Sequence, residues 1–138
     1  MTNVTLAHSY LIKAQKRLKI LDLLLTEEAY SDVIREAQEF VELALKGMLR
    51  QVGVEPPRWH DVSDLILEHR GRFPDWVGQR AGELVRISRW LRKEREFSFY
   101  GDLDFIPTEQ YSLEDARRAI SDAQLVVDTA ERVFRLDV

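Results

Sequence analysis

Residues 29–53 read AYSDVIREAQEFVELALKGMLRQVG, and the pattern of apolar residues in this segment sets the fold class. Apolar side chains recur at steps of three or four residues, at Ala29, Val33, Ala37, Phe40, Ala44 and Met48. This spacing places them on one face of an α-helix. The helix is predicted to continue to about Val52 and to end at Gly53, because glycine adopts the left-handed conformation of a helix end at little cost.

A helix with the same period is predicted before this segment, over residues 4–25. Its apolar stripe consists of Leu6, Tyr10, Ala14, Leu18, Leu21 and Leu25. Thr26 is predicted to be the N-cap of the second helix, with Glu27 and Glu28 in a first turn where the helix dipole favours negative charge. Because the connection is so short, the first two helices are predicted to run antiparallel.

Prolines divide the middle of the chain. Pro56 and Pro57 prevent a helix from resuming at once, and a short helix is predicted over residues 61–70. Pro74 opens a long fourth helix that is predicted to end between residues 93 and 100. Its inner face is predicted to carry Val77, Ala81, Leu84, Ser88 and Leu91.

The last helix is predicted to begin near Leu113, after a loop over residues 101–111. Ser112 and Asp115 resemble a capping box, in which two side chains three residues apart each accept a hydrogen bond from the other residue's backbone N–H. Four long amphipathic helices and one short one predict a single all-α domain over residues 1–138. The predicted architecture is an antiparallel up-down four-helix bundle with one additional short helix.

The composition excludes several classes of site. The chain has 138 residues, no cysteine and a formal net charge of −4. The lack of cysteine excludes disulfides, thiolate metal sites and cysteine nucleophiles. No segment approaches the roughly 18 consecutive apolar residues of a membrane span, so we expect a cytoplasmic protein that does not associate with membranes. No histidine or carboxylate spacing of a metal site and no glycine-rich phosphate loop is present, so no metal and no cofactor is indicated.

Positive charge is concentrated in the fourth helix despite the acidic total. The basic residues of this region are Arg80, Arg86, Arg89, Arg92, Lys93 and Arg95. Acidic residues are interleaved with them, so two readings stay open: a solvated face paired with its own acids, or an anion site that uses arginine to bind phosphate. Gly78 and Gly82, one helical turn apart, form a notch where another helix could approach, as at a dimer seam.

Two further segments carry a family resemblance. Residues 36–49 read EAQEFVELALKGML and residues 58–65 read RWHDVSDL. Three features follow one another in these segments. A helix carries Glu42 and Lys46 four residues apart, a break ended by Gly53 comes next, and another helix then starts at His60 and Asp61. The set resembles the HEPN family, and Tyr100, Gly101 and the helix start at 113–116 also fit that pattern. Glu42 and Lys46 are equally the i,i+4 ion pair of an ordinary helix surface.

The resemblance implies a helical bundle that forms a homodimer and is often encoded beside a minimal nucleotidyltransferase. It also implies an association with nucleotides or RNA and with toxin–antitoxin systems. Ribonuclease members of the family carry an arginine followed four to six residues later by a histidine. None of His8, His60 and His69 has an arginine at that distance. Metal-free RNA cleavage needs a group that exchanges protons near neutral pH, so the sequence favours a non-catalytic member.

Eight residues are predicted to bind a ligand: Lys46, His60, Arg86, Arg89, Arg92, Lys93, Arg95 and Tyr100. If catalysis is retained, the candidates are His60, Arg92, Arg95 and Tyr100. Three functional hypotheses follow. The first is a non-catalytic HEPN homodimer that binds a nucleotide or RNA, or a nucleotidyltransferase partner. The second is a divergent, metal-independent ribonuclease toxin. The third is a structural helical adaptor without a nucleic-acid role.

Overall fold

Six α-helices and one 3-10 turn, with no strand, form the part of the chain that the computed structural model describes, residues 3–56, 58, 61–99 and 106–135. The helices are α1 (Asn3–Thr26), α2 (Tyr30–Gln51), α3 (Val62–Glu68), α4 (Asp75–Phe99), α5 (Pro107–Gln110) and α6 (Leu113–Arg135), and the 3-10 turn is Arg70–Arg72. The prediction of an all-α helical bundle is confirmed. The short helix α5 was not predicted, since it lies within residues 101–111, where the sequence predicts a loop. Its first residue is a proline, whose fixed φ suits the first turn of a helix.

Helix α2 lies at the centre of the bundle and packs against α1, α3, α4 and α6. Its side chains are buried on more than one side, because Val41, Leu45 and Leu49 are buried in addition to the predicted apolar face. The predicted inner face of α4 is also confirmed, since all five of its residues are buried. On α1 the buried residues are Ala7, Leu11, Ala14 and Leu21, of which Ala14 and Leu21 belong to the predicted stripe. Leu18 and Leu25 of that stripe are partly buried against the core.

Gly47 lets α2 approach two other helices closely. A Cβ atom at this position would lie 3.3 Å from the carbonyl oxygen of Ala7, 3.4 Å from Cζ of Phe134 and 3.5 Å from Cβ of Tyr10. Ala7 and Tyr10 belong to α1, and Phe134 belongs to α6. The contact of α1, α2 and α6 at this point therefore has space for a hydrogen atom but little for a larger group.

The predicted N-cap at Thr26 is wrong. Thr26 is the last residue of α1, and its hydroxyl donates to the carbonyl oxygen of Asp22 at 2.9 Å, which is a bond within α1. The chain turns at Glu28, whose φ is 59°, and α2 begins at Tyr30 with Ala29 in the cap position. A threonine hydroxyl can bond back to the preceding turn of a helix as well as cap the next one, and here it does the former.

Three other helix ends follow the sequence closely. Gly53 has a φ of 82°, as predicted, and the N–H of Val54 donates to the carbonyl oxygen of Leu49 at 2.9 Å. The capping box of α6 is confirmed by bonds of 2.9 Å and 3.1 Å between Ser112 and Asp115. The short helix α3 begins one residue later than predicted, because the carboxylate of Asp61 caps it by accepting from the N–H of Ser63 at 2.9 Å. It ends at Glu68, and residues 70–72 then form the 3-10 turn.

Candidate functional site

A polar cleft of about 250 Å³ lies between α2 and the second half of α4. Its walls are formed by Gln38, Glu42, Arg58, Arg92 and Arg95. Two of these residues lie one turn apart on α2 and two lie one turn apart on α4, so each helix presents a pair of side chains to the same opening. Arg58 comes from the connection between α2 and α3.

The wall on α2 is held together by hydrogen bonds and one ion pair. Nε2 of Gln38 donates to a carboxylate oxygen of Glu42 at 3.0 Å, and Nζ of Lys46 lies 3.4 Å from the other oxygen. An ionised carboxylate only accepts hydrogen bonds, so the amide NH₂ of Gln38 must face Glu42. The amide oxygen of Gln38 is buried and has no hydrogen-bond partner among the described residues. The predicted pair of Glu42 and Lys46 thus forms, and it neutralises the one carboxylate found among the described residues that line the cleft.

The wall on α4 is cationic. Arg95 donates to a carboxylate oxygen of Glu39 at 2.6 Å, which ties the end of α4 to α2. Arg92 and Arg58 are exposed, and neither has an acidic partner within the described parts of the chain. Among the described residues, Arg58 and Arg92 therefore add positive charge to a cleft in which Glu42 is paired with Lys46 and Arg95 is paired with Glu39, so the local potential is positive.

The remaining basic residues of α4 lie outside this cleft. Arg86 is 3.6 Å from carboxylate oxygens of both Glu83 and Asp122. Arg89 is 2.7 Å from the carboxylate of Asp64. Lys93 is exposed and has no ion pair with a described residue. Of the predicted basic strip, Arg86 and Arg89 are thus paired with acids outside the cleft, Arg92 and Arg95 line the cleft, and Lys93 does neither among the described residues. The binding role of each residue stays a prediction.

Asp122, on α6, shows how tightly the first of these parts is packed. Its side chain is 13% exposed and lies between Arg86 and Arg118, at 3.6 Å and 3.8 Å. One carboxylate oxygen has no hydrogen-bond partner among the described residues. Burial raises the pKa of this carboxyl above its ordinary value of 3.8, and the two arginines offset only part of that rise. Arg118 also stacks over the ring of Trp90 with its central carbon 4.1 Å from the ring centroid.

Three residues of the cleft, Gln38, Glu42 and Arg58, were not among the predicted ligands. Gln38 lies one turn before Glu42, and Arg58 lies two positions before His60 in the segment that carries the family resemblance. Their spacing to predicted residues was a usable signal, but only the packing of α2 against α4 shows that they share an opening. His60 and Tyr100, which were predicted, lie outside the described residues.

Two kinds of feature are absent from the described residues. These residues contain no group of three or more histidine, aspartate or glutamate side chains arranged to hold a metal ion. None of the helices in that part of the chain is long and apolar enough to cross a bilayer.

Comparison with known proteins agrees with the sequence pattern. The family model of the HEPN domain matches residues 7–133. A protein of Methanocaldococcus jannaschii, named "Putative toxin MJ1304", is 26% identical over 133 residues, which cover 91% of this chain and 86% of that protein. No solved structure matches the chain with significance. Because the family model spans nearly the whole sequence, this chain belongs to the HEPN domain family.

Proposed function

We propose that this chain is a toxin-like HEPN module that binds the phosphate of a nucleotide or of RNA in the cleft between α2 and α4, without cleaving it. The observation that carries this proposal is the pair of exposed guanidinium groups, Arg58 and Arg92, beside a cleft whose lining carboxylate is already neutralised. The name of the archaeal relative supports the toxin-like part of the proposal.

The chemistry of the cleft suits phosphate. A guanidinium presents parallel N–H donors that match two phosphate oxygens, and Arg58 and Arg92 approach from different elements of the fold. The volume of about 250 Å³ is at the small end for an organic ligand, so one phosphate with part of its sugar would fill it. A longer RNA would then lie across the surface of α4.

The described wall of the cleft consists of three arginines, one amide and one carboxylate that is already paired with Lys46, a composition that suits the binding of phosphate. No histidine lines the cleft in the parts of the chain that the structure describes. Arginine can stabilise charge on a phosphate, but it cannot act as a base near neutral pH.

We further propose that the module works as a homodimer and has a minimal nucleotidyltransferase as a second partner. The helical notch at Gly78 and Gly82 supports the homodimer, because no described atom beyond the adjoining backbone of α4 and the neighbouring residues in the chain lies within 4 Å of the position where either Cβ would be. A second helix has space to approach there. Multi-angle light scattering of the wild type and of Gly82→Trp tests this seam, and a dimer that is unaffected by the tryptophan would place the seam elsewhere.

The binding proposal is tested with a fluorescein-labelled single-stranded RNA of about 20 nucleotides and with ATP as competitor. Arg92→Ala should weaken binding of the RNA about tenfold, since it removes a charge-assisted hydrogen bond. Arg70→Ala is the matched control, because Arg70 is exposed and has no acidic partner among the described residues. If the wild type binds neither probe, or if both variants weaken binding equally, the cleft is not the binding site.

The position of Arg92 and Arg95 in one cleft also favours a second candidate, a divergent metal-independent ribonuclease toxin. Mixed RNA incubated with the protein and a metal chelator separates the two candidates. Cleavage that is abolished by Arg92→Ala would support the ribonuclease, with Tyr100 or His60 as the proton-transfer group. Intact RNA together with binding supports the non-catalytic module, and neither binding nor cleavage would leave the structural adaptor.

A further inference from the structure

The outer face of α1 combines exposed aliphatic side chains with unpaired positive charge. Ile12, Ile20 and Leu23 are 49%, 45% and 61% exposed, and they are three of the five large hydrophobic residues exposed in the described chain. Interleaved with them are four exposed basic residues, Lys13, Lys16, Arg17 and Lys19. In a chain whose formal net charge is −4, this helix contains four basic residues and a single acidic one.

Four of these exposed residues form a continuous strip along α1. Ile12, Lys16, Lys19 and Leu23 follow one another at steps of four, three and four residues, which places them on one line along the helix. At a rise of about 1.5 Å per residue the strip is about 16 Å long, or three helical turns. None of the four basic residues forms an ion pair with a described residue. The bundle therefore uses neither the charge nor the aliphatic surface of this face.

Three other occupants fit the face poorly. A second copy of α1 on a two-fold axis would bring the four basic residues against the same four of its partner. Single-stranded RNA uses aromatic rings as stacking platforms, and the outer face consists of aliphatic and basic side chains. A helix on a bilayer needs a broad apolar sector, whereas the apolar side of α1 is already buried in the core.

We propose that the outer face of α1 docks an acidic amphipathic helix of a partner protein. Aliphatic residues of the partner would pack between Ile12, Ile20 and Leu23, in the manner of helix recognition through anchors one turn apart. Carboxylates beside those anchors would pair with the lysines that flank the strip. The apolar contact supplies affinity, and the charges determine which helices are accepted. This proposal does not depend on the phosphate cleft, because α1 does not line it.

A charge-swap experiment on the full chain tests the proposal. The probes are two fluorescein-labelled 21-residue helical peptides with leucine at the a and d positions of each heptad, one with glutamate and the other with lysine at the flanking e and g positions. Fluorescence anisotropy should show that the wild type binds the glutamate peptide about tenfold or more tightly than the lysine peptide. The variant Lys16→Glu with Lys19→Glu should reverse this preference, which a misfolded protein would not do.

Two further variants locate the site. Leu23→Gln should weaken binding of the glutamate peptide about tenfold, because it removes the most exposed of the three aliphatic anchors. The double variant Arg70→Glu with Arg135→Glu changes the net charge by the same amount as the charge swap, and it should bind like the wild type. The two control arginines are exposed and lie outside α1.

Several outcomes would overturn the proposal. Equal binding of both peptides, or no binding of either, would show that this face does not select an acidic helix. If Lys16→Glu with Lys19→Glu abolished binding to vesicles rich in phosphatidylserine or to the RNA probe, while the peptides did not bind, the face would belong to a membrane or to RNA. Conversion of a wild-type dimer to a monomer by Leu23→Gln would assign the face to a second copy.

Discussion

Leucine substituted for glycine should have opposite effects on stability at positions 47 and 82. Both glycines lie inside long helices, α2 and α4. A Cβ atom at Gly47 would lie within 3.5 Å of Ala7, Phe134 and Tyr10. At Gly82 no described atom beyond the adjoining helix backbone and the chain neighbours lies within 4 Å of a Cβ. The two sites therefore share a helical backbone and differ in the space around the new side chain.

The magnitudes follow from helix propensity and packing. Leucine in place of glycine inside a helix gains about 0.8 kcal/mol of helix propensity, which is the whole effect expected for Gly82→Leu. At Gly47 the first added carbon already meets a backbone oxygen at 3.3 Å, and three more carbons follow it. Forcing α1 and α6 apart should cost about 1–3 kcal/mol, which exceeds the gain in propensity. For 138 residues a change of 1 kcal/mol shifts the melting temperature by about 3 °C.

Urea denaturation followed by circular dichroism measures both effects. The protein concentration is kept where light scattering finds a monomer, so that a dimer seam at Gly82 does not contribute. We expect the midpoint to rise for Gly82→Leu and to fall for Gly47→Leu, with similar m-values. A Gly47→Leu protein as stable as the wild type would refute the close approach of the three helices. A loss of stability in Gly82→Leu would refute the open notch on α4.

Three smaller predictions concern single polar groups. The Tyr111 hydroxyl donates to the carboxylate of Glu94 at 2.8 Å. Tyr111→Phe should therefore lower the free energy of unfolding by about 1 kcal/mol, measured by urea denaturation. An unchanged midpoint would contradict this prediction. Ser112→Ala removes the acceptor for the N–H of Asp115 and should cost about 1 kcal/mol, whereas Ser112→Thr, which keeps a hydroxyl, should cost less. Since burial raises the pKa of Asp122 in the folded protein, the stability that this group contributes is present below its ordinary pKa of 3.8 and is lost as the pH rises through the raised pKa. Asp122→Asn should therefore be at least as stable as the wild type at pH 7, and any gain in stability should shrink as the pH falls towards 4. A variant that is less stable than the wild type at pH 7 would contradict the raised pKa of Asp122.

Much of the fold was predictable because local rules agreed with tertiary packing. The capping box of Ser112 and Asp115 and the left-handed Gly53 depend on residues within a few positions, and both were predicted correctly. Thr26 was assigned wrongly because its hydroxyl has two local partners in competition, the helix behind it and the helix ahead. Sequence alone does not rank them.

The candidate cleft was predictable only in part. Arg92 and Arg95 belong to the basic cluster of α4, and Glu42 and Lys46 form the i,i+4 pair that the spacing indicates. The sequence does not reveal that Arg58 joins them, because Arg58 lies in the α2–α3 connection and reaches the cleft only through the folding of that connection. The ion pair of Arg89 with Asp64 of α3, at 2.7 Å, could not be predicted from the sequence either, because the two residues belong to different helices.

By itself, the sequence determined the helical class, most helix ends and the family. The class follows from apolar periodicity, and the helix ends follow from hydrogen bonds between residues close in the chain. The family was indicated by the resemblance of residues 36–49 and 58–65 to the HEPN pattern. Tertiary structure decided which arginines are paired with acids and which face a cleft, and where Gly47 is required. Those properties depend on distances between separate helices, and small rotations of one helix against another change them without changing any local pattern.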